Sequence, residues 1–261
     1  MHPVLLQFGK LKIYSWGFML AIAAIVAILG LRRKFEREGY DREMVLDMVI
    51  IMVLFGILGA RVAYIIFYEW DAFLASPLIF FSPGFSGLIW YGAFVGGLLA
   101  FLFYIWKKGL DFWEMADFFA PYLALGYALV RIGCFLNGCC YGLPTGSEFG
   151  VVFPQVDQEL RHPTQLYSSL LNFILAIFLL WLSERRVFKG QVFIVYLIGY
   201  CIYRFIIEYF RFSLIHWGPF TLGQVSTLIV LLIALALYVG MRIMNNNNIY
   251  IKRSRHRLND R

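Results

Sequence analysis

The sequence predicts an all-α integral membrane protein, and three observations carry that reading. Of 261 residues, 61% are hydrophobic and only 15% are charged, where soluble domains run nearer half apolar and a quarter charged. The apolar residues fall in long unbroken tracts, which selects helices over the ten-residue alternation of a β-barrel. Lysine and arginine gather in every second connection between those tracts, as they do in polytopic membrane proteins.

The tracts give seven spans, about 13–31, 44–67, 87–106, 112–132, 168–183, 191–209 and 222–242. Each is long enough to cross roughly 30 Å of hydrocarbon at about 1.5 Å per residue. The first lacks a basic leader and a small-residue cleavage site, so it is expected as a retained span rather than a signal peptide. Between the second and third spans, Tyr68 to Ser86 has no Lys or Arg but carries Trp70, Phe73, Phe80, Phe81 and Phe85 with Pro77 and Pro83. That composition suits a segment lying in the outer headgroups. The connection at about 133–167 is the longest and holds Pro144-Thr-Gly, an extended Phe149-Gly-Val-Val-Phe, Pro154 and Pro163. At that length an ordered outer head or functional loop is expected. Residues 1–244 thus read as one polytopic membrane domain, and Asn245–Asn248 opens a basic tail, 245–261, expected to be mobile and cytoplasmic. No internal repeat suggests an inverted-repeat transporter.

Loop charge sets the orientation. Arg32, Arg33, Lys34, Arg37 and Arg42, then Lys107 and Lys108, then Arg185, Arg186 and Lys189, then Arg242 and five further basic residues of the tail fall on one side. Lys10, Lys12, Arg131, Arg161 and Arg211 fall on the other. The positive-inside rule therefore puts the N-terminus outside and the C-terminus in the cytoplasm. The net charge of +7 is accounted for by orientation and anionic headgroups, and no nucleic-acid partner is expected.

Ionisable groups inside spans mark function more often than packing. Arg61 lies in Gly59-Ala60-Arg61, near the outer end of the second span, and Arg204 and Glu208 lie four residues apart in the sixth, on one helical face. With Arg131 they put three guanidinium groups at one depth, where an anion must share the site. Glu208 is one such anion and a phosphate is the natural second, because the guanidinium fork matches phosphate oxygens in pairs. Gly92, Gly96 and Gly97 have the spacing of close helix packing, while Tyr91 beside them offers a hydroxyl at the outer end. Asp47 and Asp117 read as satisfied buried carboxylates.

The densest polar stretch is Arg131-Ile-Gly-Cys134-Phe-Leu-Asn137-Gly-Cys139-Cys140-Tyr-Gly142, followed by Arg161-His162-Pro163-Thr164-Gln165-Leu166-Tyr167. Four cysteines rule out a dense disulfide framework and leave room for one bridge. A zinc site would need His162 to join the cysteines, and no metal or cofactor is expected.

Taken together, Tyr14, Gly59-Ala60-Arg61 with Tyr64 and Tyr68, the glycine-rich third span, Arg131-x-Gly133 with Asn137-Gly138 and Gly142, the Arg161–Tyr167 run, Arg204 with Glu208, and Leu222-Gly223-Gln224 resemble the prolipoprotein diacylglyceryl transferase family. The resemblance covers nearly the whole chain. It implies a seven-span enzyme of the bacterial plasma (inner) membrane with its active site toward the outer face. Such an enzyme moves the diacylglyceryl group of phosphatidylglycerol to the lipobox cysteine thiol of a prolipoprotein signal peptide and releases glycerol phosphate. By carry-over the catalytic groups are Arg204 at the leaving phosphate, Glu208 orienting it, and Tyr91. The phosphatidylglycerol contacts are Arg131, Asn137, Tyr14, Arg61, Gly142 and His162. Many relatives carry His where this chain has Tyr91, and Asn and Glu where it has Cys134 and Cys139. The Gly-Cys-Cys-Tyr-Gly version resembles a branch of the same family. Two alternatives stand beside this reading: a membrane thiol–disulfide enzyme using the outer cysteines, and a family member that binds anionic lipid without catalysis or with another acceptor.

Overall fold

A backbone in hydrocarbon can hydrogen-bond only to itself, so long apolar tracts close into helices. The computed structural model describes residues 1–8, 11–81, 89–211 and 216–259. It begins with an antiparallel hairpin, β1 (Val4–Phe8) with β2 (Leu11–Tyr14). Then come α1 (Ser15–Arg37), α2 (Met44–Tyr68), the short α3 (Trp70–Ala75), a 3-10 turn at Pro77–Phe81, α4 (Trp90–Lys108) and α5 (Phe112–Asn137). A two-residue ladder of β3 (Val151–Val152) and β4 (Leu160–Arg161) precedes α6 (Thr164–Ser183) and α7 (Gln191–Glu208). A last ladder, β5 (His216–Trp217) with β6 (Phe220–Thr221), leads into α8 (Leu222–Asn259). Among the described residues six helices are long and apolar enough to cross a membrane: α1, α2, α5, α6, α7, and α8 as far as Asn247. The protein is a mostly helical membrane protein, as composition predicts. Helix α4, 19 residues ending in Lys107 and Lys108, occupies the third predicted tract.

Helix limits differ from the hydropathy reading where polar residues fold into a helix. Tyr14, expected in the first span, ends β2 instead, because the alternating Leu11-Lys-Ile-Tyr14 pairs with Val4–Phe8. Helix α5 continues past residue 132 to Asn137, so Gly133, Cys134 and Asn137 are helical. Helix α6 begins at Thr164, not 168, because Pro163 fixes its own φ ahead of a polar but buried first turn, Thr164, Gln165 and Ser168. Helix α8 runs on through the asparagines to Asn259. Of the aromatic outer segment, Pro83 and Phe85 lie outside the described residues.

The chain forms two compact units, residues 28–115 and residues 1–27 with 116–261. In the first, α2 and α4 meet backbone to backbone. A Cβ on Gly59 would stand 3.1 Å from the Gly96 Cα, one on Gly92 would stand 2.6 Å from the Ala63 Cβ, and one on Gly96 would strike the Phe55 carbonyl. Small residues permit this approach, and dispersion between the closed backbones holds it in lipid. Arg61 is half-buried and fastens the 3-10 turn to α2. It donates to the Phe80 carbonyl at 3.2 Å and the Ile79 carbonyl, and lies 3.8 Å from Glu69.

In the second unit, Ala120 and Ala124 of α5, Ala176, Leu179 and Leu182 of α6, and Val192 of α7 form a core in which alanines admit the larger neighbours. Asp117, 1% exposed, accepts the N–H groups of Gly190 and Phe193 at 2.8 and 2.9 Å and lies 3.7 Å from Arg186. It therefore caps α7, where a carboxylate matches the positive helix end. At the opposite end of α5, the His2 N–H donates to the Leu136 carbonyl at 2.9 Å and the Ser15 hydroxyl donates to the His2 carbonyl. Gly133 admits Trp16 and Met19 of α1, since a Cβ there would stand 3.1 Å from the Trp16 Cα.

Gly96→Val should force α2 and α4 apart and destabilise the fold by about 1–3 kcal/mol. Thermal unfolding in detergent, followed by tryptophan fluorescence, should show a lowered Tm, whereas Gly240→Ala, where an added Cβ meets nothing within 4 Å, should leave it nearly unchanged.

Candidate functional site

Four-residue spacing stacks side chains on one helical face. Along α7 that series is Tyr196, Tyr200, Arg204 and Glu208, and on α5 it is Tyr127 and Arg131. The two faces meet through their rings. Tyr127 lies 6.3 Å from Tyr200 and 6.2 Å from Tyr203, and Tyr200 lies edge-on to Tyr203 at 5.2 Å. One turn further along each helix come the arginines, and Tyr200 lies in the electrostatic field of both Arg131 and Arg204. The structure thus sets Arg131 on one side of a tyrosine cluster and the Arg204–Glu208 pair on the other.

The two guanidinium groups are not equivalent. Arg204 Nη1 lies 2.8 Å from Glu208 Oε2. Glu208, 7% exposed, accepts the Thr221 hydroxyl at its Oε1 at 3.2 Å. Thr221 and Gln224 in turn cap each other's backbone N–H groups at 3.0 and 3.1 Å at the start of α8, the reciprocal arrangement of a capping box. A Cβ on Gly223 would stand 2.8 Å from Glu208 Oε1, so only glycine leaves the carboxylate its place. Arg204 is therefore charge-matched and aimed. Arg131 donates to the Tyr127 hydroxyl and stacks over that ring at 4.7 Å, and among the described residues no carboxylate pairs with it. A half-buried guanidinium cannot shed its proton, so this side chain calls for an anion.

Beyond Arg131 the helix ends and the chain turns back. Asn137 is the last residue of α5, and two residues on the Cys139 thiol donates back to the Cys134 carbonyl at 3.6 Å. Cys140 has φ 62°, a left-handed conformation uncommon for a residue with a Cβ. The first turn of α6 holds the strained loop: Thr164 Oγ1 donates to the Cys140 carbonyl at 2.9 Å, and the fully buried Gln165 donates through Nε2 to the Cys139 carbonyl at 2.6 Å. Gly142 is wedged between the Phe210 carbonyl, Thr164 and His162, where a Cβ would stand 2.8 Å from Thr164 Cγ2 and 2.9 Å from the His162 Cβ. His162 packs its ring 5.0 Å from Phe210 and places Nδ1 3.4 Å from the Tyr167 hydroxyl. Arg161 grips Asp157 through Nε at 3.2 Å and donates through Nη1 to the Gly142 carbonyl at 3.3 Å. Gly142, Arg161 and His162 therefore build the loop. Tyr14, at the end of β2, is more than half exposed. Arg61 and Tyr91 belong to the other unit, where Tyr91 is 75% exposed in the first turn of α4.

The chain matches the family model described as prolipoprotein diacylglyceryl transferase over residues 3–240. The chain belongs to that family. It is 39% identical over 215 residues to the phosphatidylglycerol–prolipoprotein diacylglyceryl transferase of Clostridium tetani, covering 81% of this chain and 86% of that one. It is 37% identical to transferase 2 of that name from Clostridium perfringens, over 81% and 84% of the two chains. The transferase of that name from Shewanella oneidensis is 34% identical over 252 residues, 90% of this chain and 94% of its own. The match to the diacylglyceryl transferase family spans every residue of the site just described.

Sequence reasoning named Arg131, Arg204 and Glu208 but gave no part to Tyr127, Tyr200, Tyr203 or Thr221. The four-residue series through Tyr196 and Tyr200 was the available signal for the tyrosines on α7. The Thr221-x-x-Gln224 pattern was the signal for the cap that steadies Glu208.

The thiols differ in acidity. Cys140 is lowered to about 5, first by the hydrogen bond it shares with the Cys134 thiol, then by the Arg131 charge. Burial raises Cys139 above the usual thiol range. Alkylation by iodoacetamide requires thiolate, so Cys140 should react at an undiminished rate from pH 8 down to about 6 and slow only near its pKa of about 5. Cys139 should react appreciably only in alkaline solution. Mass spectrometry of quenched samples reads both.

Proposed function

We propose that the α5–α7 face is where a phosphatidylglycerol headgroup binds and its diacylglyceryl group is transferred to a prolipoprotein thiol. The observation that carries this reading is Arg131: a half-buried guanidinium on a helix long and apolar enough to span a membrane, with a phenol but, among the described residues, no carboxylate to match it. A lipid phosphate supplies the missing charge and reaches the site sideways from the bilayer. The family supports the same donor and acceptor, since relatives at 34–39% identity carry both in their names.

In this reading Arg131 holds the phosphatidylglycerol headgroup, with Asn137 and Tyr14 as further polar contacts. The acceptor sulfur attacks the glycerol carbon that bears the phosphate ester. A C–S bond forms, the C–O bond breaks, and glycerol phosphate departs with the bonding pair. The thiol proton leaves to a base. Charge grows on the departing phosphate as the bond stretches, so a fixed cation there stabilises the transition state more than the ground state. Arg204 is that cation. Glu208, pinned by Thr221 and crowded by Gly223, keeps its fork in one orientation. The acceptor is the lipobox cysteine of a signal peptide.

The reading takes α4 as a seventh span and the loop charges as the guide to orientation. The N-terminus and the α5–α6 loop then face outward from the bacterial inner membrane, where a secreted prolipoprotein meets the bilayer.

Purified protein should move labelled glycerolipid from phosphatidylglycerol to a lipobox peptide and release labelled glycerol phosphate. Absence of transfer with lipid binding intact would replace this reading with a binding-only one. Arg131→Lys or Arg204→Lys should lower turnover at least tenfold, because loss of one charge-assisted hydrogen bond removes about 1.5–3 kcal/mol. Replacing Cys134, Cys139 and Cys140 together by Ser should leave transfer largely intact.

A further inference from the structure

The transfer reaction leaves one built feature of the molecule unused. The sulfur atoms of Cys134, Cys139 and Cys140 all lie within 4.8 Å of one another, and the four cysteines of the chain are unpaired. Three sulfurs bound to one ion at about 2.3 Å stand about 3.8–4.0 Å apart, so shifts of well under a bond length would close the set. We propose that Cys134, Cys139 and Cys140 form a three-thiolate site for a soft monovalent metal ion of the Cu(I) type.

The sulfurs are brought together by structure and not by adjacency alone. Cys134 is buried on the last turns of α5. The Cys139 N–H and thiol both turn back on the Cys134 carbonyl, at 3.1 and 3.6 Å. Cys140 holds its left-handed backbone because Thr164 and Gln165 grip the carbonyls on either side of its peptide link. The cradle therefore exists before any ion arrives: Thr164 and Gln165 hold the backbone through its carbonyls, and ligation would replace only the weak bond of the Cys139 thiol to the Cys134 carbonyl and the contacts among the thiols themselves.

Donor type selects the ion. Three sulfur donors, with no carboxylate or imidazole among them, suit a soft ion such as Cu(I), and each thiol that ligates releases its proton. His162, the fourth ligand a zinc site would need, faces Phe210 and Tyr167 instead. This inference is independent of the transferase reading, since a site for a metal can exist whichever lipid or peptide the protein handles.

The test is anaerobic titration of the reduced full-length protein in detergent with Cu(I) against a chromogenic Cu(I) chelator. The expected result is one ion per chain, with Cys134, Cys139 and Cys140 protected from alkylation and Cys201 unaffected. Cys201→Ser should retain the ion. Cys139→Ser and the triple Ser variant should lose stoichiometric binding while keeping the parental Tm. The proposal is overturned if the protein takes up no more Cu(I) than the triple variant, if the three thiols stay alkylatable with the ion present, or if two of them are joined as a disulfide in protein purified without reductant.

Discussion

A guanidinium in a low-dielectric setting stays charged, and the chain around it must supply what water no longer does. That constraint organises this protein. Arg204 meets it within its own helix, through Glu208 one turn on, and the end of α7 and the start of α8 are arranged so that the carboxylate cannot wander. Arg131 meets it only in part, with the hydroxyl and the ring of Tyr127. An aromatic face softens the penalty of an unmatched cation without cancelling it. The difference between the two arginines is one of partner: a carboxylate for Arg204, a phenol for Arg131.

The same economy of polar groups explains the architecture. Asp117 is buried, yet it caps α7 and meets Arg186, so it positions a helix without entering the chemistry. Arg61 is also inside the apolar region, yet backbone carbonyls of the 3-10 turn take its protons. Position in the sequence did not separate these from Arg131, since all lie in apolar tracts. What separates them is the partner each one finds, and partners are set by tertiary structure.

That is also the measure of how much was legible beforehand. Hydropathy located the helices because backbone satisfaction in lipid leaves little choice, and the four-residue spacing of Arg204 and Glu208 foretold their ion pair. The limits of α5 and α6 were missed because Asn137, Thr164 and Gln165 are polar residues used inside helical turns, where a hydropathy average reads them as loop. The hairpin at Val4–Tyr14 was missed because its strands are short and run straight into a span. The roles of Gly142 and His162 were read as lipid contacts from resemblance, whereas their packing against Thr164 and Phe210 depends on chain segments that no local pattern connects. The three clustered cysteines were visible at once; that their sulfurs converge depended on the left-handed turn at Cys140.

The clamp that Thr164 and Gln165 place on the loop after α5 grips main-chain carbonyls only. Its hold does not depend on which side chains residues 139 and 140 carry. A substitution of the thiol at residue 139 should therefore leave the loop fastened, while residue 140 is limited to side chains that tolerate its left-handed backbone. A scaffold fastened in this way separates the path of the backbone from the chemistry of the side chains that it carries.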